Sequence, residues 1–369
     1  MISLMSKCFL LILAMTGECM AKSIVAYGAQ SKADTISQMT IERREVTPSD
    51  ISIDIMYCGI CHSDIHQVNN DWGRAIYPIV PGHEIIGEVT NIGNQVTKFK
   101  VGDIVGVGVM VGSCGNCGSC TDNLEQYCEK GFISTYSSED PQHGGVTYGG
   151  YSENIVVDEK FVLHVPTNLA LNAVAPLLCA GITTYSPLRN WKVKPGDTVG
   201  IIGLGGLGHM GVKFAKAMGA NVVMITSSTN KAEDAKSLGA DAVIISKNPE
   251  DMKNNANKFD ILLNTVPVSH DLNPYLSLLK RDGTMILVGA IEPFKSGELN
   301  GVKLIVGRKS LAGSLIGGLQ ETQEMLDFCG ENNILPDVEM ITASEINNAY
   351  KRMLNNDVKY RFVIDFTKK

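Results

Sequence analysis

Four cysteines crowd one short loop, in the run MVGSCGNCGSCTDNLEQYC from Met110 to Cys128. Cys114, Cys117, Cys120 and Cys128 follow the spacing C-x2-C-x2-C-x7-C. Thiols so placed can form a disulfide knot, hold an iron–sulfur cluster or close around zinc. A second group mixes thiols with imidazoles. Cys61-His62-Ser63-Asp64-Ile65-His66 is followed by Pro81-Gly82-His83-Glu84 and, much later, by Cys179 in LLCAGITTY. Cys61, His83 and Cys179 together could hold one Zn2+ with the fourth position open, the arrangement of a catalytic site. Such a zinc polarises a carbonyl oxygen or lowers the pKa of a bound alcohol. Linear spacing leaves other uses open. A buried Cys179 serves equally well as core, and His83 after Pro-Gly as a turn residue.

A glycine loop supplies the third chemical feature. Gly203-Leu204-Gly205-Gly206-Leu207-Gly208 reads G-x-G-x-x-G, between the apolar run DTVGIIG and the helical pattern HMGVKFAKAMGA. That context marks a dinucleotide site. Gly203 permits the tight turn, Gly205 lets the backbone approach a pyrophosphate, and Gly208 lets helix and strand pack closely. The helix start offers free N–H groups to the phosphates. About 20 residues further on, an acid would select NAD. The chain instead has Thr226-Ser227-Ser228-Thr229-Asn230-Lys231, with no carboxylate. The hydroxyls of Ser227 and Ser228 can donate to a phosphate and Lys231 can neutralise it, so NADP(H) is expected. The same residues also suit a helix cap.

These groups need a scaffold. At 369 residues the chain exceeds one typical core and suggests two domains. From Ile24 to about Pro166 it is β-rich and turn-rich, as in IIGEVTNIG, VGDIVGVGV and YSENIVVDE, which reads as a small antiparallel barrel or sandwich. From about Leu171, strands and helices alternate through NVVMIT, DAVIIS, FDILLNTV and GTMILVGA. Continuous apolar strands between helices predict a parallel doubly wound sheet. The expected division is 21–170, 171–317 and a C-terminal segment, 318–369, that returns to the first domain. Net charge is −7 and no basic patch appears, so neither nucleic acid nor an anionic membrane is an expected partner. No apolar run has spanning length.

The start of the chain carries a short apolar run, Cys8 to Met15, after Lys7. It resembles a weak secretory signal but lacks a small-x-small cleavage site. Met20-Ala21-Lys22 would make an ordinary beginning, so residues 1–20 are read as a mis-assigned extension. A thiol cluster that must stay reduced, and a nucleotide cofactor, both belong in the cytoplasm.

The stretches CGICHSDIH, YPIVPGHEIIGEV, VGDIVGVG, CGNCGSCTDNLEQYC, YGGYSENIVVDE, APLLCAGITTYSPL, GIIGLGGLGHMGVKFAKAMGA and YRFVIDF carry a resemblance. The chain is similar to the zinc-containing medium-chain alcohol dehydrogenases, in the branch of cinnamyl alcohol dehydrogenases and bacterial NADP-dependent aldehyde reductases. The resemblance runs from about residue 24 to the end. It implies a GroES-like catalytic domain joined to a Rossmann cofactor domain.

Roles then follow by position. Cys61, His83 and Cys179 match the catalytic zinc ligands, and Glu84 matches a carboxylate that can approach or exchange onto that zinc. Asp64 matches the acid that orients the ligand histidine. Ser63 matches the hydroxyl that exchanges a proton with the substrate oxygen, and His66 the outer end of that relay. Cys58 matches no ligand position. Thr183 matches a position near the nicotinamide, and Arg361 a basic residue that reaches the cofactor, the alternative being a surface charge on a terminal strand. Cys114, Cys117, Cys120 and Cys128 match a structural zinc, giving two zinc ions per subunit. The spacing agrees: bacterial ferredoxin runs continue C-x3-C-P, whereas the last gap here is seven residues and no proline follows.

The implied reaction is hydride transfer between NADP(H) and a primary alcohol or aldehyde. Trp72, before the zinc histidine, matches a pocket wall and equally suits plain packing. Plant cinnamyl enzymes carry a tryptophan shortly after the fourth structural cysteine; here that region reads EKGFISTYSS. A broad aldehyde reductase is therefore expected in place of a dedicated cinnamyl enzyme. Lys309–Gly318 looks like the edge strand that pairs across a two-fold axis in relatives, implying a homodimer. A zinc polyol dehydrogenase and a secreted, redox-inactive zinc protein are the competing readings. The glycine loop argues against the second.

Overall fold

The computed structural model describes residues 22–289, 293 and 295–368. The proposed extension, residues 1–20, lies outside them. Two large sheets organise the molecule. One has six parallel strands in the spatial order Ala242–Ile245, Asn221–Thr226, Thr198–Ile202, Phe259–Asn264, Leu279–Leu287 and Ser310–Gly313. In chain order this is 3-2-1-4-5-6, the doubly wound dinucleotide arrangement. Its central strands are buried because helices cover both faces: Val199 to Ile202 and Val222 to Thr226 are all buried. That burial explains the unbroken apolar runs, which would otherwise alternate.

The second sheet is mostly antiparallel. Its order is Val338–Ile341, Arg361–Asp365, Asp50–Ile60, Ile85–Ile92, Ile104–Val107 and Val162–His164, with Asn154–Asp158 also pairing to Asp50–Ile60. The last strand of the chain therefore hydrogen-bonds to a strand from its first third, Phe362 opposite Ile60. This brings Arg361 beside the residues that precede Cys61.

Three short segments position the chemistry. The helix His62–Val68 starts at Cys61, whose N–H is accepted by the Asp64 carboxylate at 2.8 Å. The helix Ala180–Asn190 starts at Cys179. The helix Gly208–Ala217 opens off the glycine loop. No helix among the described residues is long and apolar enough to cross a membrane.

Candidate active site and structural metal centre

The fold brings together residues that are far apart in the chain. Ligand atoms of Cys61, His83, Glu84 and Cys179 all lie within 4.8 Å of one another. The two sulfurs are 3.9 Å apart. A tetrahedral zinc with Zn–S bonds of about 2.3 Å needs an S···S edge of about 3.8 Å, so the donor set fits the ion. Electrostatics point the same way. A hydrogen bond from the Cys179 thiol, opposing the cost of burial and helped by His83, holds Cys61 well below the ordinary thiol range. Thiolate is the ligating form. Cys58 lies outside the cluster, and burial pushes its thiol up, so it stays a small neutral core residue.

Asp64 is fully buried and ties this site together. Its carboxylate accepts from the backbone N–H of Cys61, lies 3.2 Å from Nδ1 of His83, and accepts from the Tyr151 hydroxyl at 3.1 Å. Burial works to lower the His83 pKa, but Asp64 outweighs it and raises it well above the usual value. With Nδ1 facing Asp64, the other ring nitrogen is free to ligate. Tyr136 stacks on His83, with centroids 5.8 Å apart, and Tyr350 donates to the Tyr151 hydroxyl at 3.4 Å. Reading the sequence missed these three tyrosines, although Tyr151 sits in the quoted run YGGYSENIVVDE.

Ser63 and His66 lie one turn apart on the His62–Val68 helix, hence on one face. His66 Nδ1 is 2.8 Å from the Asp71 carboxylate, a pairing with no motif to announce it. Trp72 is 38% exposed, with its ring centroid 5.5 Å from that of His66 and the Arg74 guanidinium over its ring at 5.5 Å from the centroid. Thr183 is buried in the first turn after Cys179, to whose carbonyl its N–H donates at 2.9 Å.

The glycine loop has the geometry of a phosphate cradle. Gly203 has φ +92°, and a Cβ on Gly208 would lie 1.9 Å from the Gly203 carbonyl oxygen. A Cβ on Gly205 would meet open space, so this backbone face is bare toward a ligand. Gly206 is covered by Arg361, whose Cδ would be 2.8 Å from an added Cβ. Arg361 is buried, which removes the surface-charge alternative. Its Nη2 donates to Glu84 Oε1 at 2.5 Å and to the Ile60 carbonyl at 2.8 Å. Ser227 is exposed just past the strand Asn221–Thr226, and Ser228 hydrogen-bonds Asn230. Lys231 donates from Nζ to the Leu204 carbonyl at 2.9 Å, which holds its ammonium against the loop. Leu207 is the residue from which the helix departs.

The four-thiol lobe is a separate cluster. Cys114, Cys117, Cys120 and Cys128 also have ligand atoms within 4.8 Å of one another. Their sulfurs are 3.9 Å apart for Cys114–Cys120 and 4.0 Å for Cys117–Cys128. These again suit a closed tetrahedron and not an S–S bond of about 2.05 Å. All eight described cysteines are free of disulfides.

Comparison with known proteins agrees with the two-sheet architecture. Residues 47–167 match the alcohol dehydrogenase GroES-like domain, and residues 206–331 match the zinc-binding dehydrogenase domain. Aldehyde reductase YahK of Escherichia coli is 55% identical over 344 residues, covering 93% of this chain and 98% of that protein. NADP-dependent alcohol dehydrogenase C 1 of Mycolicibacterium smegmatis is 52% identical, with the same 93% and 98% coverage. The solved structure of a cinnamyl alcohol dehydrogenase from Helicobacter pylori, complexed with NADP(H), superposes with a TM-score of 0.88 at 42% identity, covering 95% of this chain and 100% of that one. On these matches, and on the two thiolate-rich clusters, the chain belongs to the zinc-containing alcohol dehydrogenases.

Proposed function

We propose that the protein is a zinc-dependent oxidoreductase that interconverts primary alcohols and aldehydes with NADP(H), acting chiefly as a broad aldehyde reductase. The observation that carries this is the convergence of two sites. The Cys61–His83–Glu84–Cys179 cluster and the bare glycine loop meet through one side chain, Arg361.

Zinc held by that cluster supplies a Lewis acid for the substrate oxygen, and NADPH supplies the hydride. The chain's own residues do the rest. Asp64 fixes the ring of His83, so the ligand geometry is set before substrate arrives. Ser63 gives its proton to the reduced oxygen, and His66 replenishes it while Asp71 holds the imidazole in place. The backbone at Gly205 and the start of the Gly208–Ala217 helix receive the pyrophosphate. Ser227, Ser228 and Lys231 receive the phosphate that distinguishes NADP from NAD. Thr183, in the first turn after Cys179, would lie beside the nicotinamide, and Trp72, against the His66 ring, would offer a stacking face to aromatic aldehydes.

The residue roles, the division into 21–170, 171–317 and 318–369, a cytoplasmic location and a homodimer all belong to this reading. Dimerisation is supported by the Ser310–Gly313 strand, which among the described residues stands at the edge of its sheet. The neighbouring helix Gly301–Gly307 also exposes Val302, Ile305 and Val306.

The test is oxidation of NADPH and of NADH with benzaldehyde, followed by loss of reduced-nicotinamide absorbance with and without a zinc chelator. Chelator-sensitive turnover that favours NADPH is expected. A preference for NADH would overturn the roles of Ser227, Ser228 and Lys231.

A further inference from the structure

We propose that the thiol lobe positions the backbone that walls the cofactor cleft, through Tyr127 and Glu125. Across the parallel sheet, Ile202, Asn264, Leu287 and Gly313 stand in register at the carboxyl ends of their strands. The next residue of each strand closes on its neighbour: Thr265 N–H donates to Ile202 at 3.0 Å, Val288 to Asn264 at 3.1 Å and Ser314 to Leu287 at 3.1 Å. The segment beginning at Ser314 thus leaves the sheet on the same rim as the glycine loop. Dinucleotides bind along that rim in sheets of this kind.

This segment is held from two sides. On the outside, Leu315 N–H donates to the Tyr127 hydroxyl and Leu319 N–H to Glu125 Oε2, both at 3.0 Å. The lobe backbone also packs flush against it: a Cβ on Gly318 would lie 1.9 Å from the Asn123 carbonyl oxygen. On the inside, Ile316 lines a small cavity with Val109, Leu178 and Ile182, the last two being the chain neighbours of Cys179 and Thr183. Between the two, Ile316 has φ +36°, a conformation β-branched residues rarely adopt. Such a backbone persists only where its surroundings over-determine it. Tyr127 and Glu125 belong to the four-cysteine run itself, so the metal that orders the lobe also orders the rim. They are positioning residues, and their effect falls on cofactor affinity: the rim competent to bind is less populated when its outer ties are cut.

The proposal rests on the reading of that rim as the NADP(H) cleft. Its test is the Kd for NADPH of the zinc-loaded enzyme, measured by nicotinamide fluorescence, in wild type, Tyr127→Phe/Glu125→Ala and Glu125→Gln. Hydrogen exchange of residues 313–319 and zinc content are measured alongside. Two lost hydrogen bonds should raise Kd roughly tenfold in the double variant, with two zinc ions retained and faster exchange confined to 313–319. Glu125→Gln keeps an acceptor oxygen and should bind within about twofold of wild type. Unchanged affinity in the double variant overturns the proposal. So does a rise accompanied by loss of lobe zinc, because the two residues would then serve only the lobe's own fold. Failure of the wild type to bind NADPH would instead overturn the cofactor reading, before any variant is compared.

Discussion

Arg361 and Glu84 form a buried ion pair, Nη2 to Oε1 at 2.5 Å, that joins the metal cluster to the glycine loop. Burial pushes the Glu84 carboxyl up to about 7 even with the guanidinium beside it. Burial works against the Arg361 charge too, but Glu84 and the two thiols outweigh it and keep the guanidinium protonated. The pair is therefore costly to desolvate and more costly to break. Removing one partner of such a pair typically costs about 3–5 kcal/mol, because the other charge is left alone. Arg361→Met should destabilise the zinc-loaded protein by that order in denaturant unfolding. Glu84→Gln keeps an acceptor for the guanidinium but leaves its charge unpaired, and should cost a comparable amount. A much smaller cost for Glu84→Gln would mean that the hydrogen bond, and not the charge pairing, is what holds Arg361.

The Tyr151 hydroxyl touches no proposed ligand, yet it is one of the donors to Asp64. Asp64 in turn faces the nitrogen of His83 that does not ligate. Outer groups of this kind commonly change metal affinity by 10- to 100-fold. Tyr151→Phe should speed loss of the catalytic zinc to a chelator by roughly tenfold, with the four-thiol site unaffected. The check is a two-phase zinc-release curve followed with a chromogenic chelator. Only the faster phase, from the site with fewer thiolates, should move.

The chemistry was legible in the sequence wherever it depends on local spacing. The glycine loop needs a tight turn and an unobstructed backbone within six residues, and the thiol lobe needs four sulfurs within fifteen. Both leave short-range patterns. The parallel sheet was legible because burial of both faces forces continuous apolar runs. What was hidden depends on chain returns. Tyr151 reaches Asp64 across 87 positions, and Tyr350 reaches Tyr151 across 199. For Arg361, expected from the resemblance to reach the cofactor, a surface charge on a terminal strand stays an open alternative until strand Arg361–Asp365 pairs with Asp50–Ile60 and buries it. Tyr127 and Glu125 carry no pattern of their own, because their partners, Leu315 and Leu319, lie 188 and 194 positions away.

Lys231 is tethered to the Leu204 carbonyl and therefore stands at the loop before any cofactor arrives. A lysine so placed can neutralise a phosphate at little further entropic cost. Lys231→Ala should lower kcat/KM for NADPH by roughly 10-fold or more, as expected for a lost charge-assisted hydrogen bond, while NADH turnover changes little. The ratio of the two kcat/KM values is the readout. A parallel fall for both cofactors would place Lys231 in the loop's structure and not in phosphate recognition.

His209 offers the cleanest pH dependence. It is fully buried beneath the glycine loop, stacked on Tyr360 with centroids 4.9 Å apart, and its Nδ1 lies 3.2 Å from the Gly205 carbonyl. Burial, with Lys213 and Arg361 adding to it, lowers its pKa to about 3. The folded imidazole therefore stays neutral in mild acid, whereas in the unfolded chain it gains a proton near pH 6.5. The unfolded state then binds more protons than the folded one, so stability rises with pH across this window. The contribution is complete above about pH 6.5 and is lost as pH falls toward 3, at a limiting slope of about 1.4 kcal/mol per pH unit. Other groups titrate over the same range, so the quantity to measure is a difference. His209→Asn keeps a side-chain donor for Gly205 but cannot charge. Its unfolding free energy, compared with wild type between pH 5 and 7, should be lower at neutral pH, where the imidazole stack is lost. The gap should narrow as pH falls. A constant gap would mean that His209 can take up a proton within the fold, by opening of its packing against Tyr360.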